Sequence, residues 1–276
     1  MEQYPLRDDL IRSYDTFSLQ LPTKNIGHPL VFFESCLSTN TACFQEAERG
    51  ASHGTLVLAD SQTSGRGRKG RAWYSPRGKN LYFSILLTQL PVQSGISWIP
   101  LVTGLALTET LEKITSLAFS LKWPNDILFK NKKMAGILCE CKQAGKAGSA
   151  CVVGVGININ STYGDFSPDL SEIATSLFIE CQFPFNRSVV LTSFLEKFES
   201  YYENLLKSGA HSMKIPYTRR CSTIGRQIRI ELMTGESIQG IAVGIGDEGE
   251  LLVSESEKSS ESLVVKVREG DVIHLR

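Results

Sequence analysis
The chain has no long apolar run. Nothing approaches the roughly 20 residues that a membrane-spanning helix needs, and Met1–Gln20 carries charges throughout where a secretory signal would have an apolar core. Both absences point to a cytoplasmic protein with no membrane partner. Net charge is missing as well, since Lys plus Arg and Asp plus Glu each total 29. A molecule-wide field for nucleic acid or anionic lipid is therefore excluded, and any basic site must be local. The seven cysteines contain no C-x-x-C pair, and His28, His53, His211 and His274 form no H-x-x-x-H or His/Cys cluster. The sequence thus gives no metal site, and reduced thiols packing as small hydrophobes are expected. Repeats and low-complexity segments are absent too.

What is present is ordinary globular material. Hydrophobic residues make up 42% and charged residues 21%, so a packed core is expected, and 276 residues suffice for one sizeable domain and a smaller second one. Val31–Phe33, Thr55–Ala59 and Asn80–Thr88 read as strands, with a helix from Ser38-Thr39-Asn40 to about Glu48. Ile99–Ile114 has apolar residues at helical spacing, as does Asn186–Lys207. Phe119–Trp123 and Asp126–Phe129 flank a Pro-Asn turn, while Lys133–Cys141 and Ala150–Ile159 read as adjacent strands joined by the turn-rich QAGKAGS. After Arg220 short strands with Gly turns predict a small barrel. The expected fold class is α+β, with a mixed β-sheet domain carrying helices at 28–217, a barrel at 218–276 and an N-terminal extension at 1–27.

Gly65-Arg66-Gly67-Arg68-Lys69-Gly70-Arg71 sets four positive charges and three glycines in seven residues. Glycines let backbone N–H groups converge on an anion, and arginine forks match carboxylate and phosphate oxygens. A solvated basic loop is the bland alternative. An RGG-type nucleic-acid segment would be repetitive, whereas this loop is single and bracketed by strands.

With Ala72-Trp73, the loop resembles the G-R-G-R-x-G-R-x-W loop of biotin protein ligases. Ser38-Thr39-Asn40, Gln62, Lys122-Trp123-Pro124-Asn125-Asp126, Lys133-Met134-Ala135-Gly136-Ile137-Leu138 and Gly154-Val155-Gly156-Ile157-Asn158 agree with that family in type and order. The likeness covers roughly residues 30 to 276. It implies an α/β catalytic domain followed by an SH3-like barrel. It also implies an ATP-dependent ligase that makes biotinyl-5'-AMP and transfers biotin to a lysine of a biotin carboxyl carrier protein. Regulatory members carry an N-terminal winged helix. Fewer than thirty residues precede Pro29 here, so the enzyme without DNA binding is expected, and monomer and homodimer both stay open.

The resemblance also assigns roles. Ser38, Thr39 and Asn40 offer short neutral polar groups to the biotin ureido ring, which has two N–H donors and a carbonyl; Ser38 is equally a helix N-cap candidate. Gln62, Gly67 and Gly136 lie with biotin. Arg66 and Arg68 meet its carboxylate and the phosphates of ATP, whose mutual repulsion the site must neutralise. Lys133 is the catalytic ammonium, preferred over Lys132 by its spacing to Gly136. Arg71, Trp73, Lys122, Asn125, Asp126 and Asn158 are assigned to ATP or the adenylate. Trp73 is either an adenine platform or core, and Asn125-Asp126 either meets nucleotide and Mg2+ or closes a structural turn.

Overall fold
Alternation and apolar periodicity place most of the elements. The computed structural model describes residues 21–143, 148–232, 235–255 and 263–275; the extension expected at 1–27 lies outside them as far as residue 20, as do residues 144–147 of the QAGKAGS turn. In chain order come β1 (Leu30–Phe33), α1 (Thr39–Glu48), β2 (Leu56–Ala59), β3 (Leu81–Leu87), α2 (Gln93–Ile96) and α3 (Ile99–Thr115). Then follow β4 (Ser120–Lys122), β5 (Asp126–Phe129), β6 (Lys132–Gln143), β7 (Ser149–Ile157), α4 (Pro168–Ile173) and α5 (Leu177–Cys181). The chain closes with α6 (Arg187–Ser208), α7 (His211–Arg220), β8 (Gln227–Glu231), β9 (Ser237–Ile245), β10 (Leu251–Ser254), β11 (Val264–Val267) and β12 (Asp271–His274).

Two sheets result. The first has seven strands in the order β1-β2-β3-β7-β6-β5-β4. Its β1–β2 pair is parallel and its other pairs are antiparallel, so it is mixed as expected. The second has five antiparallel strands in the order β11-β10-β9-β8-β12. One face of the large sheet is covered by α3 and α6, whose Leu101, Val102, Leu105, Phe194 and Phe198 close over Phe83, Ile85, Val153 and Val155. Each such side chain contributes about 1.5–3 kcal/mol on leaving water, several times the helix propensity at stake per residue. On the opposite face, Ala42, Cys43, Phe44 and Ala47 of α1 pack on Val57, Leu86 and Val152 at one end. Beyond them that face carries small and polar residues of β3, β7 and β6, among them Ser84, Gly136, Gly154 and Gly156.

One expectation is corrected. Cys141 and Cys151 are not separate thiols but a disulfide. They stand directly opposite each other in the β6–β7 ladder, with Cα atoms 4.0 Å apart. Cys36, Cys43, Cys139, Cys181 and Cys221 are free. The helix α7 also escaped the periodicity reading, because it contains Pro216 and buries few residues, chiefly Met213 and Tyr217. No helix among the described residues is long and apolar enough to cross a membrane.

Candidate functional site
This second face of the large sheet is shaped by small residues in register. Gly154 pairs with Ser84 on one side and Leu138 on the other; Gly156 pairs with Tyr82 and Gly136. These glycines are needed for close approach. A Cβ on Gly154 would run into the Asn40 amide, and one on Gly136 or Gly156 into the Trp73 indole. Since Gly154 and Gly156 are two residues apart, the Asn40 and Trp73 stations sit about 7 Å apart along β7. They form the two ends of a glycine-floored trench in the sheet face, which the Asn40 and Trp73 side chains occupy.

The Asn40 end is neutral and polar. Asn40, 3% exposed, donates to Leu138 O (3.1 Å) and Glu140 Oε2 (2.7 Å), and Ser84 Oγ lies 2.7 Å from its Oδ1 and 2.8 Å from Thr39 Oγ1. Gln62 Oε1 accepts from Thr39 N (2.8 Å), and Gln62 Nε2 donates to Ser75 Oγ (2.9 Å). Arg66 closes the network through Glu140 (3.2 Å) and Thr41 Oγ1 (3.3 Å). Thr39, Asn40, Gln62 and Arg66 are therefore brought together, joined by Ser84 and Glu140, which the sequence reading missed. Ser38 is buried and begins α1 in extended conformation, but its side chain makes no capping bond.

The Trp73 end is cationic. In an unbroken strand Lys133 and Gly136, three residues apart, would project from opposite faces. A register shift between Ile127 and Leu128 leaves Met134 as an extra residue on β6. Such a bulge re-aims its neighbours, and a Cβ on Gly136 would lie 3.3 Å from Lys133 Nζ. The ammonium sits 5.3 Å from the Trp73 ring centroid and 2.7 Å from Asp126 Oδ1. That carboxylate oxygen is buried and makes no aligned hydrogen bond, so the contact is an ion pair. Trp73 is half-buried over the glycines, outside the core, and its indole N–H has no partner among the described residues. Lys122 is held below its usual range by burial, partly offset by Asp126 and reinforced by Lys133.

The basic loop spans from one end to the other. Arg66 reaches the polar network, while Arg68–Gly70 form a single helical turn. Of its three glycines only Gly70 takes positive φ, joined by Lys69; Gly65 instead allows the chain to pass close to the Trp73 carbonyl. Arg68 donates to Gly270 O (3.2 Å) and reaches Asn125 Oδ1 (3.5 Å). Arg71 pairs with Asp271 at 2.7 Å, and Lys69 donates to Glu231 O at 3.0 Å. The loop is thus docked on β8 and β12 of the second sheet. At its neck, Asp60 accepts from Gly78 N (3.2 Å), Arg77 (3.2 Å) and the buried Arg187 (2.9 Å), so one carboxylate holds both ends of residues 61–77. Nothing in local sequence marks Asp60, Arg187 or Asp271 for these tasks, which depend on partners 17 to 200 residues away. Both donor hydrogens of Asn158 are directed at scaffold carbonyls, Lys133 O (3.4 Å) and Thr175 O (3.0 Å). Asn125 Nδ2 binds Ile137 O (3.0 Å).

Behind Lys122 lies His274. Arg226 is a donor, so Nδ1 carries the lone pair and Nε2–H donates to Thr223 Oγ1 (3.2 Å). Burial, then Lys122 and Arg226, lower its pKa from 6.5 to about 4. The fold therefore keeps the imidazole neutral, and between these values the unfolded chain takes up the extra proton. Stability falls as pH drops from 6.5 towards 4, by on the order of 1 kcal/mol after discounting for partial exposure. The thermal midpoint of the wild type should fall more over that interval than that of His274→Gln; parallel curves would refute this account of His274.

The Biotin/lipoate A/B protein ligase family model matches residues 32–158, and the Biotin protein ligase C terminal domain model matches residues 223–275. The bifunctional ligase/repressor BirA of Bacillus subtilis is 33% identical over 238 residues, covering 86% of this chain and 73% of its own. The biotin--[acetyl-CoA-carboxylase] ligase of Mycobacterium tuberculosis is 32% identical over 245 residues, covering 87% and 86%. Among solved structures, the biotin protein ligase from Aquifex aeolicus in complex with biotin and ATP aligns with a TM-score of 0.77 and 28% identity over 90% of this chain and all of that one.

Proposed function
The chain belongs to the biotin protein ligase family, and from that premise we propose that it activates biotin with ATP and transfers it to one lysine of a biotin carboxyl carrier protein. The observation that carries the reading is the glycine-floored trench with a neutral hydrogen-bonding end and a cationic end. Biotin has the matching asymmetry, a ureido ring at one end and a carboxylate at the other. The ring lies towards Thr39, Asn40 and Gln62, with Ser38 beside them, and the carboxylate runs past Arg66, Gly67 and Gly136 to the cations.

In the first step a carboxylate oxygen attacks the α-phosphorus of ATP and pyrophosphate leaves. Arg68, Arg71, Lys122 and Lys133 offset the repulsion between the two anions, and Lys133 stabilises the charge that builds on phosphorus. In the second step the carrier lysine attacks the carbonyl of the mixed anhydride and AMP leaves. Trp73 moves off the glycine floor to stack on the adenine, and Asn125 and Asn158 hold the strands that frame the nucleotide. The half-buried Asp126 carboxylate, whose Oδ1 lies 2.7 Å from Lys133 Nζ without an aligned hydrogen bond, is the group that would hold a Mg2+ arriving with ATP, which would offset phosphate charge. We place the catalytic domain at 28–217 and an SH3-like barrel at 218–276, as a cytoplasmic enzyme.

Incubation of the protein with ATP, Mg2+, biotin and a biotinyl-carrier domain should add one biotinyl group to the carrier, read by mass. ATP–pyrophosphate exchange should proceed with biotin and not with lipoate. Exchange with lipoate alone would transfer the site to lipoate attachment, whose substrate has no ureido ring.

A further inference from the structure
The β6–β7 hairpin ends in sulfur on the face away from the trench. Cys139 and Cys141 are two residues apart on β6 and so share a face, and Cys151 stands opposite Cys141. The three sulfurs lie within 4.8 Å of one another. Among the described residues this is the one group of three or more His, Cys, Asp or Glu side chains so gathered. Cys151 is buried, Cys139 half-buried and Cys141 exposed, so the cluster opens to solvent on one side. Cys139, alone of the three, also lines a cavity of about 830 Å³ that it shares with Arg68, Leu101, Trp123 and Asn125.

We propose that Cys139, Cys141 and Cys151 form a binding site for a divalent thiophilic cation of the zinc class, open when the Cys141–Cys151 bond is reduced and closed when it is formed. Opening consumes one dithiol reductant: its two hydrogens pass to Cys141 and Cys151, and it leaves as a cyclic disulfide. The cation then displaces one proton from each of the three thiols, and water from the exposed side takes the fourth position of a tetrahedron. Thiolate donors select soft or borderline cations. Zn–S bonds of about 2.3 Å place tetrahedral sulfurs ~3.8 Å apart, so the Cys141 and Cys151 sulfurs part from bonding distance on reduction, while Cys139 is already within 4.8 Å of both. A divalent ion leaves the site with a single negative charge, where a monovalent ion would leave two, and desolvation beside Val153 and Ile137 disfavours the larger charge. The bound cation would join β6 to β7 in the reduced protein as the disulfide does in the oxidised one. The proposal rests on the hairpin geometry and is independent of the ligase reading.

The test uses the full chain, reduced with a dithiol and then freed of it under anaerobic conditions, titrated with Cd2+ as a spectroscopic probe. One equivalent should bind with a thiolate-to-cadmium charge-transfer band and release of one proton per thiol, and Zn2+ should compete. Cys139→Ser and Cys139→Ala should each weaken binding by more than about 100-fold, beyond the 10–100-fold expected of a residue that merely supports a ligand. Cys36→Ser and Cys181→Ser should retain the band, and the oxidised chain should take up no cadmium. Absence of the band in the reduced wild type, an unchanged band in both Cys139 variants, or its loss in Cys36→Ser would overturn the site. Thermal unfolding of each variant shows that a lost band reports lost ligation in a folded chain.

Discussion

Replacing Lys133 by alanine should slow biotinyl-adenylate formation by roughly 10²–10³-fold, or about 3–4 kcal/mol of transition-state stabilisation, while the fold survives. The two expectations come from different parts of the same residue. Its backbone carbonyl holds the neighbouring chain, accepting from Thr175 N at 3.0 Å and from Asn158, and alanine keeps that carbonyl. Its side chain belongs to the trench, with the ammonium beside Asp126 and Trp73. Arg68, Arg71 and Lys122 remain in the variant, so binding of ATP should weaken less than chemistry slows. Single-turnover adenylate formation, with unfolding followed separately, is the measurement. A variant that forms the adenylate at wild-type rate removes Lys133 from the catalytic role.

Arg68→Gly should let the adenylate escape 10- to 100-fold faster. A charge-assisted bond to phosphate contributes about 1.5–3 kcal/mol, and each 1.4 kcal/mol is roughly a factor of ten. The glycine acts twice, because Arg68 also ties the loop to Gly270 O and Asn125. The released mixed anhydride acylates any exposed amine. Biotin appearing on serum albumin in the presence of the variant, and not of the wild type, is the expected result. A variant that labels only its carrier shows that the intermediate is retained by other groups.

The legible parts of this molecule were those encoded locally. Apolar spacing in Ile99–Ile114 and in Asn186–Lys207 marks α3 and α6 to within a residue or so, and the Gly turns after Arg220 announce the second sheet. Residue type and order marked most of the trench as well: Thr39, Asn40, Gln62, Arg66 and Lys133 do converge on it. What stayed hidden depends on register. The alternation of β6 argues against Lys133 facing Gly136, and the bulge at Met134 reverses that. Ser84 and Glu140 look like ordinary strand polar residues until the ladder sets them beside Asn40. Cys141 and Cys151, ten residues apart, read as unrelated thiols until the hairpin aligns them.

The docking of the basic loop on β8 and β12 gives its arginines two clients. Arg68 donates to Gly270 O and Arg71 pairs with Asp271; phosphates would compete for the same guanidinium groups. Coupling free energies are reciprocal, so whatever factor the barrel's grip subtracts from ATP affinity, ATP subtracts from the barrel's grip. The C-terminal fifty residues then act as a counterweight on the nucleotide site. Changes at Gly270 or Asp271 should shift the half-saturating concentration of ATP by altering what the arginines must first release.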